Sequence, residues 1–247
     1  MAEPDPIPVL YEDDAVLAVA KASGEPVVPA RGEAPDACLH RRLEALRGER
    51  LWVVHRIDRD ASGVVVFARN AAAHRALSLA FERREAEKLY QAFTAGAPAA
   101  PRGRSAVALH AARRGKARPA SPDEPGARAA TTDYAVRRRW MRDAATVAAL
   151  ELRPLTGRHH QIRVHLRAAG TPILFDALYG RGTGSGPLEG APCRRLALHA
   201  QRLALPAPDG RGRLVVEAAP APDLVALEAW LDAGWRATVY GAHREGP

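Results

Sequence analysis

HRIDRDASGVVVFARN, residues 55–70, is the stretch on which the reading of this chain turns. His55, Arg56, Asp58 and Arg59 crowd charge and titratable nitrogen into a few residues. A short apolar run, Leu51 to Val54, comes before them, and a longer one, Val64 to Ala68, comes after. Ala61-Ser62-Gly63 supplies the small residues of a turn. The pattern predicts a strand, a polar loop and a buried strand, with Asp58 near the start of the loop. A carboxylate flanked by arginines at a strand end is either a structural ion pair or a reactive group held on a rigid frame. The stretch alone leaves both readings open.

The rest of the chain narrows the choice. At 247 residues it can bury a large core, as one domain or two. A net charge of +8 and a pI near 10.1 point to a polyanionic partner, nucleic acid before an anionic membrane surface. The two cysteines, Cys38 and Cys193, fit no metal spacing and no disulfide framework, which argues for a reducing cytoplasm and against a secreted scaffold. The first residues, MAEPDPIPVLYEDD, are acidic and lack an apolar signal core. No run approaches the roughly 18 apolar residues that span a bilayer. The expectation is a soluble cytoplasmic protein with no membrane partner.

Residues 8–20 read as two short strands around Glu12-Asp13-Asp14. A helix is expected from Asp36, as its cap, to Arg47, with Leu39, Leu43 and Leu46 on one face. Residues 70–84 read as a helix capped by Asn70. Lys88 to Phe93 alternates as a strand that places Lys88, Tyr90 and Ala92 on one face. Residues 97–130, rich in Pro, Ala, Gly and Arg, read as a loop or weak hairpin. They carry Arg113, Arg114, Lys116 and Arg118, which suit a solvated linker and phosphate contacts equally well. Strands are expected at 131–136, 144–152, 195–205 and 213–217. Thr156-Gly157 marks a turn before a regular element from Gln161 to Leu166, and a helix is expected from Asp223, as its cap, to Trp230. Strands outnumber helices, so the class is α+β with a large mixed or antiparallel sheet.

Several motifs, in order, then agree on a family. HRIDRDASGVVVFA resembles the HRLD motif of the RluA-type pseudouridine synthases. KLYQAFTAG is similar to their K-x-Y-x-A strand, and LTGRHHQIRVHLRAAGTPILFDALYG to their TGR-x-HQIRVH…D-x-LYG block. RLALHAQRLAL resembles their late LHA element, and VLYEDDAVLAVAKASGEPV their opening strands and K-P-x-G turn. The resemblance spans about residues 8–217. It implies a pseudouridine synthase fold with an active-site cleft across its central sheet, and isomerisation of uridine to pseudouridine in structured RNA without metal or cofactor. By motif position it implies that Asp58 is the nucleophile, that Arg163 pairs with that carboxylate, and that Tyr90 stacks on the target base. Arg56 is expected to displace the base from its stem. His55, His160, Gln161 and the cluster Arg113, Arg114, Lys116 and Arg118 are the further substrate-binding candidates.

The chemistry agrees with those roles. A carboxylate must be ionised to attack, and a guanidinium partner favours that form. Whether it attacks ribose or base stays open. Unstacking a base costs a few kcal/mol, of which an aromatic face returns about 1–3 kcal/mol. The chain departs from the family at Ala22, His159 and Ala177, where Pro, Thr and Pro are usual. The first change implies a different loop stiffness, and the second a change in hydrogen bonding near Arg163. A single catalytic domain over 1–247 is expected, acting as a monomer, with no appended N-terminal RNA-binding domain. Two other readings are weaker. A metal site of His159, His160, His165 and Asp176 lacks helical His-x-x-x-His spacing, and neighbouring histidines on a strand would face apart. A non-catalytic RNA-binding module would have little reason to keep Asp58, Tyr90 and Arg163 together.

Overall fold

The computed structural model describes residues 7–29, 32, 34, 36–112, 115–180, 182–183 and 186–240. They fall into two compact units, the first of residues up to 88 with 199–220, the second of 89–198 with those from 221 on.

The first unit is built on β4 (Ser62–Ala68), every residue of which is buried. A strand sealed on both faces favours a continuous apolar run, which Val64–Ala68 supplies, and its one polar side chain, Ser62, is hydrogen-bonded to His199 Nδ1 at 2.9 Å. β2 (Val16–Lys21) pairs with it antiparallel, and β1 (Val9–Glu12) pairs with β2. The other edge of β4 is shared. Its start pairs in parallel with β11 (Leu198–Pro206) at His199 and Ala200, and its end pairs antiparallel with β3 (Trp52–Val53). β12 (Arg213–Glu217) extends β11. The sheet is therefore mixed. α2 (Ala71–Glu82) packs Ala73 and Leu77 against Val64, Val66 and Ala68. α1 (Leu39–Arg47) serves the opposite face, where its His40 stacks on Phe67 at 5.9 Å. Gly63 has no substitute at the β4–β11 contact. Its φ is +119°, and a Cβ there would lie 2.2 Å from the Ala200 carbonyl oxygen.

The second unit orders its strands β5 (Glu87–Ala95), β10 (Ala145–Pro154), β9 (Thr132–Arg142) and β13 (Arg236–Val239), all antiparallel. β6 (Arg102–Ser105) lies on the β13 side of β9, while β7 (Ala108–Ala112) and β8 (Lys116–Ala120) form a separate hairpin. α3 (Gln161–Ala168) and α4 (Pro222–Gly234) complete it.

The α+β class and the mixed sheet stand, and five local expectations are corrected. Cys38, not Asp36, is the N-cap of α1, and its side chain does not cap the helix. The first helical N–H groups go instead to main-chain carbonyls, Leu39 to Pro26 and His40 to Val27. Leu46 is exposed. Ala221 caps α4, with Pro222 opening it; the Asp223 carboxylate turns to Arg195 through two 2.7 Å bonds. That pair also ends the extended reading of 195–197, since Arg195 folds back on α4 before β11 begins. The 97–130 region holds three strands among its described residues.

Candidate active site

The loop that carries Asp58 is fastened from beneath. Asp58 is half-buried and its main-chain oxygen accepts Ala61 N–H at 3.2 Å. The next two carbonyls are held by the Lys21–Glu25 turn. Arg59 O accepts Gly24 N–H at 2.9 Å and Lys21 Nζ at 2.7 Å, and Asp60 O accepts Ser23 Oγ at 2.6 Å. Lys21 itself is 1% exposed and also donates to Ala22 O and Glu25 O. A buried ammonium survives only when fully hydrogen-bonded, so this one acts as a rivet between two turns. The missing proline at Ala22 thus falls in a turn stiffened by Lys21. Lys21→Met should cost roughly 2–4 kcal/mol in urea unfolding, because buried carbonyls lose a charged donor. An unchanged urea midpoint would remove the rivet from the account.

His55 is spent on the frame. Between β11 and β3 the edge of β4 has no strand partner among the described residues, and there the Val66 N–H is accepted by His55 Nε2 at 2.9 Å. The ring stacks on Phe81 with centroids 4.8 Å apart. Accepting at Nε2 requires the neutral imidazole. Burial first, and the charge of Lys88 second, push the His55 pKa down to about 3. Burial also lowers Lys88 to about 8. A base depressed in the fold but free when unfolded binds its proton more readily in the unfolded chain. His55 therefore withdraws stability as pH falls from about 6.5 towards about 3, approaching 1.4 kcal/mol per pH unit within that window. Unfolding free energies between pH 7 and 4 should show this slope, and a flat profile would contradict it. Arg56, by contrast, is exposed.

In the second unit the polar residues gather at the start of α3. Gln161 is buried and fully engaged. Its Oε1 accepts Thr156 Oγ1 at 2.6 Å and Arg158 N–H at 3.0 Å, and its Nε2 donates to Thr131 O and Thr132 Oγ1. It ties α3 to β9. His160 adopts the left-handed conformation at φ +52°, which histidine tolerates better than most residues. The Tyr179 hydroxyl accepts Ala117 N–H at 2.8 Å and shares a hydrogen bond of 2.9 Å with His160 Nδ1. The His159 and His160 rings stack at 3.7 Å, which corrects the expectation that neighbouring histidines face apart; they precede a helix, not a strand.

Arg163 is 3% exposed. Its Nε and Nη2 each reach Asp176 at 2.8 Å, and its guanidinium lies 5.1 Å from the Tyr179 ring centroid. Asp176 Oδ1 also accepts the N–H groups of Leu178 and Tyr179. Burial opposes its charge, but the Arg163 bonds and charge and the two N–H groups outweigh it, and the carboxyl stays below its usual range. Two planar groups joined edge to edge, over an aromatic ring, fix the guanidinium's direction. His165 is also committed, to Thr132 Oγ1 and Val107 O, both at 3.0 Å. With Asp176 held by Arg163, His165 and Asp176 are engaged in hydrogen bonds rather than arranged as metal ligands.

Tyr90 is half-buried on β5, in register with Leu152 of β10, and shares its face of the sheet with Tyr134 and Thr132. α3 packs on that same face through Thr132. Lys116 lies on β8, and Arg118 pairs with Glu124. Arg113 and Arg114 lie outside the described residues. Nothing local in the sequence marks Lys21 or Tyr179 for these roles, and Asp176 stands out there only as a possible metal ligand. The D-x-LYG spacing was the available signal.

A mixed α+β sheet carrying these motifs defines the class. The family profile described as RNA pseudouridylate synthase matches residues 15–168. The dual-specificity RNA pseudouridine synthase RluA of Vibrio vulnificus is 34% identical over 195 residues, 79% of this chain and 76% of that protein. Ribosomal large subunit pseudouridine synthase D of Xanthomonas campestris is 36% identical over 230 residues, 88% of this chain and 67% of its own length. The structure titled human RNA pseudouridylate synthase domain containing 1 superposes with a TM-score of 0.75 at 25% identity, covering 98% of this chain and 94% of that one. The chain belongs to the RNA pseudouridylate synthase family. It is an isomerase that converts uridine in RNA to pseudouridine. Among the described residues, no helix is long and apolar enough to cross a membrane.

Proposed function

We propose that this enzyme acts as a cytoplasmic monomer on a uridine in a stem-loop of ribosomal or transfer RNA, with Asp58 as its nucleophile. The supporting observation is the riveted loop: Lys21, Ser23 and Gly24 hold the main chain at Arg59 and Asp60, immediately after the carboxylate. Catalysis by a carboxylate needs a fixed direction of approach, which a pinned main chain supplies. In the reaction the N1 glycosidic bond breaks, the base turns, C5 bonds to the same C1′, the proton from C5 departs to water and N1 takes up a proton in its place. Tyr90 offers a face for the flipped base, and Arg163 steadies the ionised carboxylate. Arg56, exposed and planar, fills the space the base leaves. Lys116 and Arg118, with Arg113 and Arg114 beside them in the sequence, grip phosphates and add affinity without reading bases. His160 and Gln161 contribute indirectly, by holding the start of α3.

Loss of the C5 proton supplies the test. Unmodified ribosomal and transfer RNA transcripts made with 5-tritiated uridine should release tritium to water when the protein is added, with or without chelator. Absence of release from every transcript would overturn the reading in favour of an RNA-binding module.

A further inference from the structure

The register of the second unit assigns each strand residue to a face. Tyr90, Leu152 and Tyr134 share the α3 face. Glu151, Arg153, Asp133, Arg102 and Arg104 share the opposite one. α4 covers one end of that opposite face: Asp232 takes Trp140 Nε1 at 2.7 Å and Arg138 Nη2 at 2.8 Å. The other end, towards edge strand β6, is bare among the described residues. There the Arg104 and Arg153 side chains are 59% and 52% exposed, Arg102 is exposed, and a groove of about 210 Å³ runs between Arg102, Asp133, Glu151 and Arg153.

Charge at this bare end is arranged as well as abundant. Arg104 donates Nε and Nη2 to Asp133, at 2.5 and 2.8 Å. Glu151 receives Arg137 and, at 2.9 Å, Arg153. Two carboxylates thus orient three guanidiniums without neutralising them, and Arg102 makes no ion pair among the described residues. The sum over these six side chains is +2. Gly103 lets the two β6 arginines approach β9, since a Cβ there would meet the Tyr134 hydroxyl at 2.5 Å. Alternate residues of a strand lie about 6.7 Å apart and adjacent strands about 4.8 Å apart, so the cationic area measures roughly 7 by 10 Å. That suits a few consecutive backbone phosphates, which planar guanidinium groups bind in pairs of hydrogen bonds.

We propose that this bare end is a second contact surface for the RNA, on the face opposite Tyr90, where Arg102 and Arg153 bind phosphates of the stem beyond the target loop. The proposal rests on the RNA substrate of the preceding reading. Its rival is that edge arginines merely discourage strand pairing with another chain.

The full-length Arg102→Gln/Arg153→Gln protein separates the two. It leaves Arg104 on Asp133 and Arg137 on Glu151, so no carboxylate loses its last partner. Affinity for a fluorescent long-stem RNA hairpin is measured by anisotropy across a potassium chloride series. Two lost phosphate contacts should flatten the slope of log K against log salt by about 1.4–1.8. On a hairpin with its stem cut short the double variant should match the parent, and its single-turnover tritium release at saturating RNA should match as well. An unchanged slope on the long stem overturns the proposal, and self-association of the variant with that unchanged slope supports the strand-pairing rival. An equal deficit on the short stem also overturns it. Tritium release by the parent is read on the same RNA. If the parent is active and the slope is unmoved, only this surface fails; if the parent is inactive, the functional reading fails first.

Discussion

An Asp58→Asn protein should keep its fold and lose tritium release by about 10⁴-fold or more, the scale on which enzymes respond to removal of a nucleophile. The substitution preserves size and hydrogen-bonding capacity. The loop around it is held through main-chain atoms of Ala61, Arg59 and Asp60, none of which depends on the carboxylate. Urea midpoints of parent and variant should therefore agree closely, and RNA affinity should change little. The split between lost chemistry and kept binding is what distinguishes a reacting group from a structural ion pair. Release at more than a tenth of the parental rate would remove Asp58 from the nucleophile's role.

Asp176→Asn should be the most destabilising single change at the site, by about 3–5 kcal/mol. Arg163 is almost wholly enclosed, and the substitution takes from its buried charge the two 2.8 Å bonds to a charged carboxylate. The same substitution should slow tritium release, because Arg163 loses the group that aims it. Asp176 also predicts an acid limb. Its carboxyl is held below its usual range by Arg163, so the stability it gives is complete above about pH 3.9 and disappears as pH falls through the lower folded value. The Asn variant should lack that portion of the acid dependence. A variant as stable as the parent at pH 7 would refute the ion pair's part in the fold.

The elements that could be read from the sequence are those whose signal is local. β4 is a continuous apolar run, and the Asn70 cap lies three residues from the N–H it accepts, that of Ala73 at 2.8 Å. β5 shows its alternation directly. β9 ran past its expected end because Arg137, Arg138, Arg139, Trp140, Met141 and Arg142 look like a solvated tail until α4 supplies Glu228 and Asp232 as partners. β13 is short and exposed throughout, with no periodicity to find. The site divides in the same way. Asp58, Tyr90 and Arg163 sit in recognisable motifs. The residues that hold the frame do not, because their partners are remote: Lys21 reaches Arg59 across 38 residues, and Tyr179 reaches Ala117 across 62. His55 and Gln161 stood out as polar residues in polar motifs, yet each spends its polar atoms on a neighbouring strand or turn.

The route of the chain through its two units has a consequence for biosynthesis. The first unit needs β11 and β12, which follow the greater part of the second unit in sequence. A growing polypeptide therefore exposes the parallel edge of β4, around Ser62 and Gly63, until residues 199–217 have been made. From residue 88 to residue 217 that wait is roughly 6–26 s at ordinary ribosomal speeds. For that interval the nascent protein carries an open, apolar strand edge, and this is when a chaperone would be most useful to it.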